Sequence, residues 1–170
     1  MECFFNIIHF ILYKINYRLF LIFNKINPVR LLYKLPAAKR RFEKKGYDPV
    51  ELLSQMYRDP EVGVSTIFSG GILIAIMSFI LVGIAHLICI PLRLDLYSIN
   101  KIILAVIFFV PSYYISHILV FKDDKYIKYF KEFDKKSKAW KRRWALITLG
   151  CTIGSPIWGF VTLVLLYKFV

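Results

Sequence analysis

Three stretches of the chain contain no Asp, Glu, Lys or Arg. They are Val62–Leu92, Ile102–Phe121 and Trp144–Tyr167, which hold 31, 20 and 24 residues. A helix rises about 1.5 Å per residue, so even the shortest stretch covers the roughly 30 Å hydrocarbon core of a bilayer. A soluble domain of 170 residues needs no such stretches. The pattern predicts an all-α membrane protein in which residues 62–170 form a bundle of three transmembrane helices.

Residues 1–27 show a different pattern, in which polar positions recur every three or four residues. This spacing places them along one side of a helix: Glu2, Asn6, His9, Tyr13, Asn16, Asn24 and Asn27. Lys14 and Arg18 interrupt the apolar positions, and no small-residue cleavage site follows, so a cleaved signal peptide is not expected. We predict an amphipathic helix on the inner leaflet that ends at Asn27-Pro28. A fourth membrane helix, with its polar stripe covered by a partner, is the alternative.

Residues 28–61 are predicted to form a basic cytoplasmic segment with a short helix. Asp48-Pro49-Val50-Glu51 is typical of a helix start, with an Asp N-cap, a Pro in the first turn and a Glu three residues after the cap. Leu52, Leu53 and Met56 would be the apolar side of that helix. Asp59-Pro60-Glu61 repeats the signal and is predicted to open the first span. The basic cluster of this segment consists of Lys39, Arg40, Arg41, Lys44 and Lys45.

The distribution of charge predicts the topology. The net charge is +13, and 21 of the 24 Lys and Arg residues either precede the first span or lie between the second and third. Since Lys and Arg are retained on the cytoplasmic side, the N-terminus is expected inside, residues 93–101 outside, loop 122–143 inside and the C-terminus outside. Anionic lipid head groups, rather than nucleic acid, are the expected partners of these cations. The Phe-, Ile-, Lys- and Tyr-rich composition is typical of an AT-rich bacterial genome, and a bacterial inner membrane is the expected location.

Loop 122–143 interleaves cations with an aromatic stripe. Tyr126, Phe130, Phe133, Trp140 and Trp144 follow helical spacing, and a break is predicted near residues 134–137. The residues predicted to contact lipid or a partner here are Lys128, Lys131, Lys135, Trp140, Arg142 and Arg143.

Small residues mark two of the spans. The first contains Gly70 and Gly71, and the third contains Gly150, Gly154, Ser155 and Gly159, with four-residue spacings that stack small side chains on one face. Such faces permit close helix packing in lipid. The sequence leaves open whether these residues pack inside this bundle or against another membrane protein.

Groups that could carry chemistry are few. His86 and His117 are the ionisable side chains within the spans, expected at opposite depths, and Tyr113 and Tyr114 add hydroxyls beside Pro111. No intramembrane carboxylate accompanies them, and Asp123-Asp124 stands among lysines. The three cysteines lack a metal-binding or disulfide spacing, and no catalytic motif is recognisable. We therefore predict no catalytic residue, metal or cofactor.

The favoured function is a non-catalytic accessory subunit that packs against other proteins of a larger membrane assembly. A small bacterial immunity or exclusion protein, acting on a pore-former in the membrane, is the first alternative. A channel or holin-like pore former is the second, disfavoured by the lack of a charged or polar stripe in the spans.

Overall fold

The computed structural model describes residues 1–26, 35–44, 46, 49–94 and 96–169, and this part of the chain is helical and contains no strand. Seven α-helices are described: α1 Glu2–Ile26, α2 Pro36–Glu43, α3 Pro49–Arg58, α4 Val64–Leu92, α5 Lys101–Ser116, α6 Lys125–Asp134 and α7 Lys138–Phe169. Between α5 and α6 lie a π-helical turn, His117–Phe121, and a 3-10 turn, Lys122–Asp124.

Three helical segments of the described chain are long and apolar enough to cross a membrane. They are Val64–Leu92, Lys101–Asp134 and Lys138–Phe169. Each coincides with most or all of one uncharged stretch, so the prediction of three helices with the length and composition of membrane spans is confirmed. These segments indicate a membrane-integral protein.

Local capping explains where the second and third spans begin. The Asn100 side chain accepts a hydrogen bond from the backbone N–H of Ile102 at 2.9 Å, which caps α5. Ser137 does the same for α7, because its hydroxyl accepts from the N–H of Trp140 at 3.2 Å. The break predicted near residues 134–137 is therefore present, with α6 ending at Asp134 and α7 starting at Lys138.

The first span begins later than the sequence predicted. Asp59 does not cap a continuous helix; its carboxylate accepts from the N–H of Glu61 at 2.8 Å and closes a separate turn. A Cβ on Gly63 would lie 2.0 Å from the Asp59 carbonyl oxygen, so this backbone conformation leaves no room for any residue with a side chain at position 63. α4 consequently starts at Val64. Asp48, the predicted cap of α3, lies outside the described residues, as do Asn27, Pro28 and Lys45.

The chain divides into two compact units, 1–11 with 70–170, and 12–69. In the second unit, Phe20 on α1 stacks on Tyr57 of α3, with ring centroids 3.7 Å apart. The Tyr13 hydroxyl donates to the carbonyl of Arg58 at the end of α3. Residue pairs from α1 and α3 thus hold this unit together.

In the first unit, the beginning of α1 packs against the π turn and α6. Phe10 is fully buried and meets the rings of Phe130 and Phe133 edge-on, at 5.3 and 5.7 Å. All eight residues from Asn6 to Tyr13 are buried, so this part of α1 has no exposed polar side. An interfacial helix would be buried on one side only. The inner-leaflet position of α1 remains a prediction.

Candidate docking site on the third span

The third span, α7, has an inward face made of small and hydroxyl-bearing residues. Its buried positions are Thr148, Ser155, Gly159, Thr162 and Leu166. Their spacings of seven, four, three and four residues draw one stripe along a helix. A Cβ on Gly159 would lie 3.4 Å from the Phe79 ring, so α4 and α7 approach closely there.

The helix that α7 contacts here, α4, also has a glycine in the contact. A Cβ on Gly83 of α4 would lie 2.0 Å from Nε1 of Trp158. Gly83 on α4 and Gly159 on α7 therefore each admit an aromatic side chain from the other helix. This exchange is the small-residue packing expected inside a membrane bundle.

The outward face of α7 carries the other two glycines. Gly150 and Gly154 are exposed, and a Cβ added to either would meet no atom within 4 Å among the described residues. At about 100° per residue, they lie on the side of α7 away from the buried stripe. The structure thus separates the predicted small-residue set: Ser155 and Gly159 face the bundle, and Gly150 and Gly154 face outward.

The neighbouring glycines of the first span divide in the same way. A Cβ on Gly70 would lie 2.8 Å from the tip of the Phe121 ring, whereas one on Gly71 would meet nothing within 4 Å. Gly70 therefore packs inside the first unit, and Gly71 is open.

The two histidines of the spans occupy unlike environments. His86 is 1% exposed, and its Nδ1 lies 3.1 Å from the hydroxyl oxygen of Thr162, which joins α4 to α7. His117 is exposed and stacks on Tyr113, with ring centroids 6.2 Å apart. Tyr113 and Tyr114 are also exposed. The structure does not bring these groups together as one site.

An aromatic cluster, which we call the aromatic shelf, packs against the start of α1. It consists of Phe121, Tyr126 and Phe130, whose rings surround the His9 imidazole at 5.1–5.5 Å. Tyr126, Phe130 and Phe133 are buried as the predicted stripe requires, while Lys128 and Lys131 are exposed on α6. The sequence did not predict that α1 would cover the stripe.

Three polar contacts join α1 to the π turn and to α6. The Asn6 side-chain amide donates to the carbonyl of Leu119 at 2.9 Å, inside the π turn. The Glu2 carboxylate lies 3.0 Å from the Lys125 ammonium. The same carboxylate accepts a hydrogen bond from the Tyr129 hydroxyl at 3.3 Å. The hydrogen bond from Lys125 lowers the pKa of the Glu2 carboxyl below its ordinary range. The polar stripe of α1 was visible in the sequence, but its partners were not.

The remaining cations predicted to contact lipid or a partner lie at the surface. Those that the structure describes as exposed are Lys39, Arg40, Arg41, Lys44, Lys135, Arg142 and Arg143. Trp140 is half-buried and packs 5.4 Å from Phe133. These cations lie on or directly after α2, directly after α6 and near the start of α7.

Metal and thiol chemistry have no visible centre in the described ranges. No group of three or more His, Cys, Asp or Glu side chains lies together there. Cys3, Cys89 and Cys151 are free thiols.

In comparisons with known proteins, no family model, no curated protein and no solved structure matches the chain.

Proposed function

We propose that this chain is a non-catalytic subunit of a larger membrane assembly and that it binds another integral membrane protein through the outward glycine face of α7. The observation that carries the proposal is the open surface at Gly150 and Gly154. Lipid tails are as apolar as Leu side chains, so burial of apolar surface does not drive helices together in a bilayer. A face that admits a close backbone approach favours a protein neighbour.

The separation of glycines strengthens this proposal. If all four small residues of α7 packed within the bundle, none of them would be left to admit the close approach of a partner helix. Instead, the inward stripe already satisfies the contact with α4, and the two outward glycines take no part in it.

The orientation that accompanies the proposal is N-terminus inside and C-terminus outside. It rests on the excess of Lys and Arg before the first span and in loop 122–143. The exposed cations on α2 and around α6 would then meet anionic lipid head groups or an acidic face of the partner, on the cytoplasmic side of a bacterial inner membrane.

A pull-down in mild detergent from the native membrane tests the glycine face. Tagged wild-type chain is expected to elute with a defined partner, and Gly150→Leu or Gly154→Leu is expected to lose it while still inserting. Phe160→Leu, which changes an exposed position of the same helix, is the matched control and should retain the partner. Equal recovery of the partner with all variants would exclude this face.

The identity of the eluted protein separates the related hypotheses. A constant resident of the membrane supports the accessory-subunit function. A partner present only when a pore-forming invader is added would instead indicate an immunity protein.

A further inference from the structure

A groove of about 460 Å³ lies between α4 and α5. Its floor includes Leu104 and Phe108, which are half-buried, and its rims include the exposed rings of Phe79 and Phe109. This volume falls within the roughly 300–1,000 Å³ of typical ligand pockets.

The lining of this groove is almost wholly apolar. Ser78 is its hydroxyl-bearing member, and that hydroxyl already donates to the carbonyl of Ile74 at 3.0 Å within α4. Gly71 and Ala75 leave the groove open on the α4 side, because neither places a large side chain in it. An occupant therefore gains by burying hydrocarbon and needs no hydrogen bonds along its length.

One end of the groove is charged. Lys101, the first residue of α5, is an exposed lysine that lines it, whereas Phe109 lies eight residues further along the helix. On α4, the lining extends from Gly71 to Val82, about 16 Å at 1.5 Å per residue. That length accommodates a long stretch of an extended acyl chain, and it crosses the middle of α4.

We infer that this groove binds one acyl chain of an anionic phospholipid, with the lipid phosphate against the Lys101 ammonium. The apolar lining fits the chain, and the one cation of the lining lies where α5 begins and a head group would sit. A phosphate at Lys101 places opposite charges together at the membrane surface, where one Lys contributes about 1 kcal/mol to binding. An extended peptide segment would instead bring unpaired backbone polar groups into a lining that offers them no partners.

Native mass spectrometry of the full chain in mild detergent tests the inference. The protein is titrated with phosphatidylglycerol or phosphatidylcholine carrying identical oleoyl chains. We expect one tightly bound lipid, with phosphatidylglycerol preferred by about fivefold, the factor that one such cation supplies. Lys101→Gln should abolish the preference, and Arg93→Gln, an exposed cation outside the lining, should leave it intact.

Groove-filling variants test the site of the acyl chain. Ala105→Phe fills the groove from α5 and should lower occupancy by both lipids at least tenfold, while Val106→Phe changes the next, exposed position outside the lining and should not. Gly71→Leu narrows the groove from α4 and gives the same test if Ala105→Phe fails to fold. The inference would be overturned if lipid binding were unchanged in both filled variants, or if Val106→Phe lost as much binding as they do. It would also be overturned if Lys101→Gln still preferred phosphatidylglycerol.

Discussion

Asn6 shows how one polar side chain can stabilise an irregular turn. A π turn shifts the backbone hydrogen bonds from their usual partners, and the Leu119 carbonyl is bonded by the Asn6 amide at 2.9 Å. Asn6 is fully buried, so water cannot replace that donor. The single contact therefore joins α1 to the end of the second span.

Replacing Asn6 with Leu is expected to destabilise the fold. The number and branching of side-chain heavy atoms are kept, but the Leu119 carbonyl loses this donor, at a cost of about 1–3 kcal/mol. Chemical denaturation in detergent micelles measures the change. Asn16→Leu is the control, because Asn16 Nδ2 is buried and has no hydrogen-bond partner in the described part of the chain; it should cost less. Equal effects would show that the Asn6 bond contributes nothing specific.

Asp123 and Asp124 turn the chain from the second span into α6 with two successive left-handed residues, at φ 58° and 50°. Asp tolerates this region better than a β-branched residue. Asp124→Val is expected to lower stability by about 1–3 kcal/mol, whereas Asp124→Asn should be close to wild type. Melting temperature in detergent is the measurement. Lys122→Val, at an exposed neighbour with φ −58°, should be tolerated; if it is as harmful as Asp124→Val, left-handed strain is not the cause.

At the scale of elements, α4 and α7 are joined through reciprocal glycine contacts and the His86–Thr162 hydrogen bond. The contact depends on the space left by the missing side chain of Gly83 as much as on the His86–Thr162 hydrogen bond. Trp158 reaches α4 only because Gly83 has no side chain.

Gly83→Ala is therefore expected to separate these helices despite the better helix propensity of Ala. Overpacking of this kind costs about 1–3 kcal/mol. Gly71→Ala is the matched control, since it is on the same helix and its Cβ meets nothing within 4 Å; it should be neutral or slightly stabilising. Unfolding in denaturant compares the two, and a neutral Gly83→Ala would contradict the close packing.

The ion pair between α1 and α6 predicts a pH dependence. The folded chain lowers the pKa of Glu2, so the stabilisation is fully present above the unfolded-state pKa and is lost as pH falls through the folded one. The hydrogen-exchange protection factors of residues 2–13, which are corrected for the pH dependence of the intrinsic exchange rate, should therefore fall in acid. Glu2→Gln should remove that dependence. Glu132→Gln, which breaks the exposed ion pair with Lys136 just beyond the end of α6, should preserve it. An unchanged acid response in Glu2→Gln would refute the assignment.

Some of these elements could be predicted from the sequence and others could not. The three spans follow from the absence of charge, and the break before α7 follows from the Asp134–Ser137 region, because both signals are local. The later start of α4 depends on a side-chain bond from Asp59, and the burial of α1 depends on contacts more than 100 residues away. Periodicity located Gly150, Gly154 and Gly159, but only packing showed that they face different neighbours.

At the scale of the whole molecule, the charge asymmetry predicts the orientation in the bilayer. With the native cysteines replaced, a cysteine at Leu94 should react with an impermeant maleimide in intact cells. One at Ser137 should react only after permeabilisation, because loop 122–143 is expected inside. A C-terminal tag reachable from outside is the control. The reversed labelling pattern would invert the orientation proposed for the basic residues.

The π turn also has a consequence for the length of the chain. A π turn holds one residue more than the α-helical turn it replaces, so His117–Phe121 behaves as a one-residue insertion in the second span. Deleting one residue from this turn would rotate α6 by about a quarter of a turn, since successive helical residues are about 100° apart. The aromatic shelf would then turn away from His9 although no hydrophobic residue had changed its character. Here the count of residues, more than their identity, sets which side of α6 meets α1.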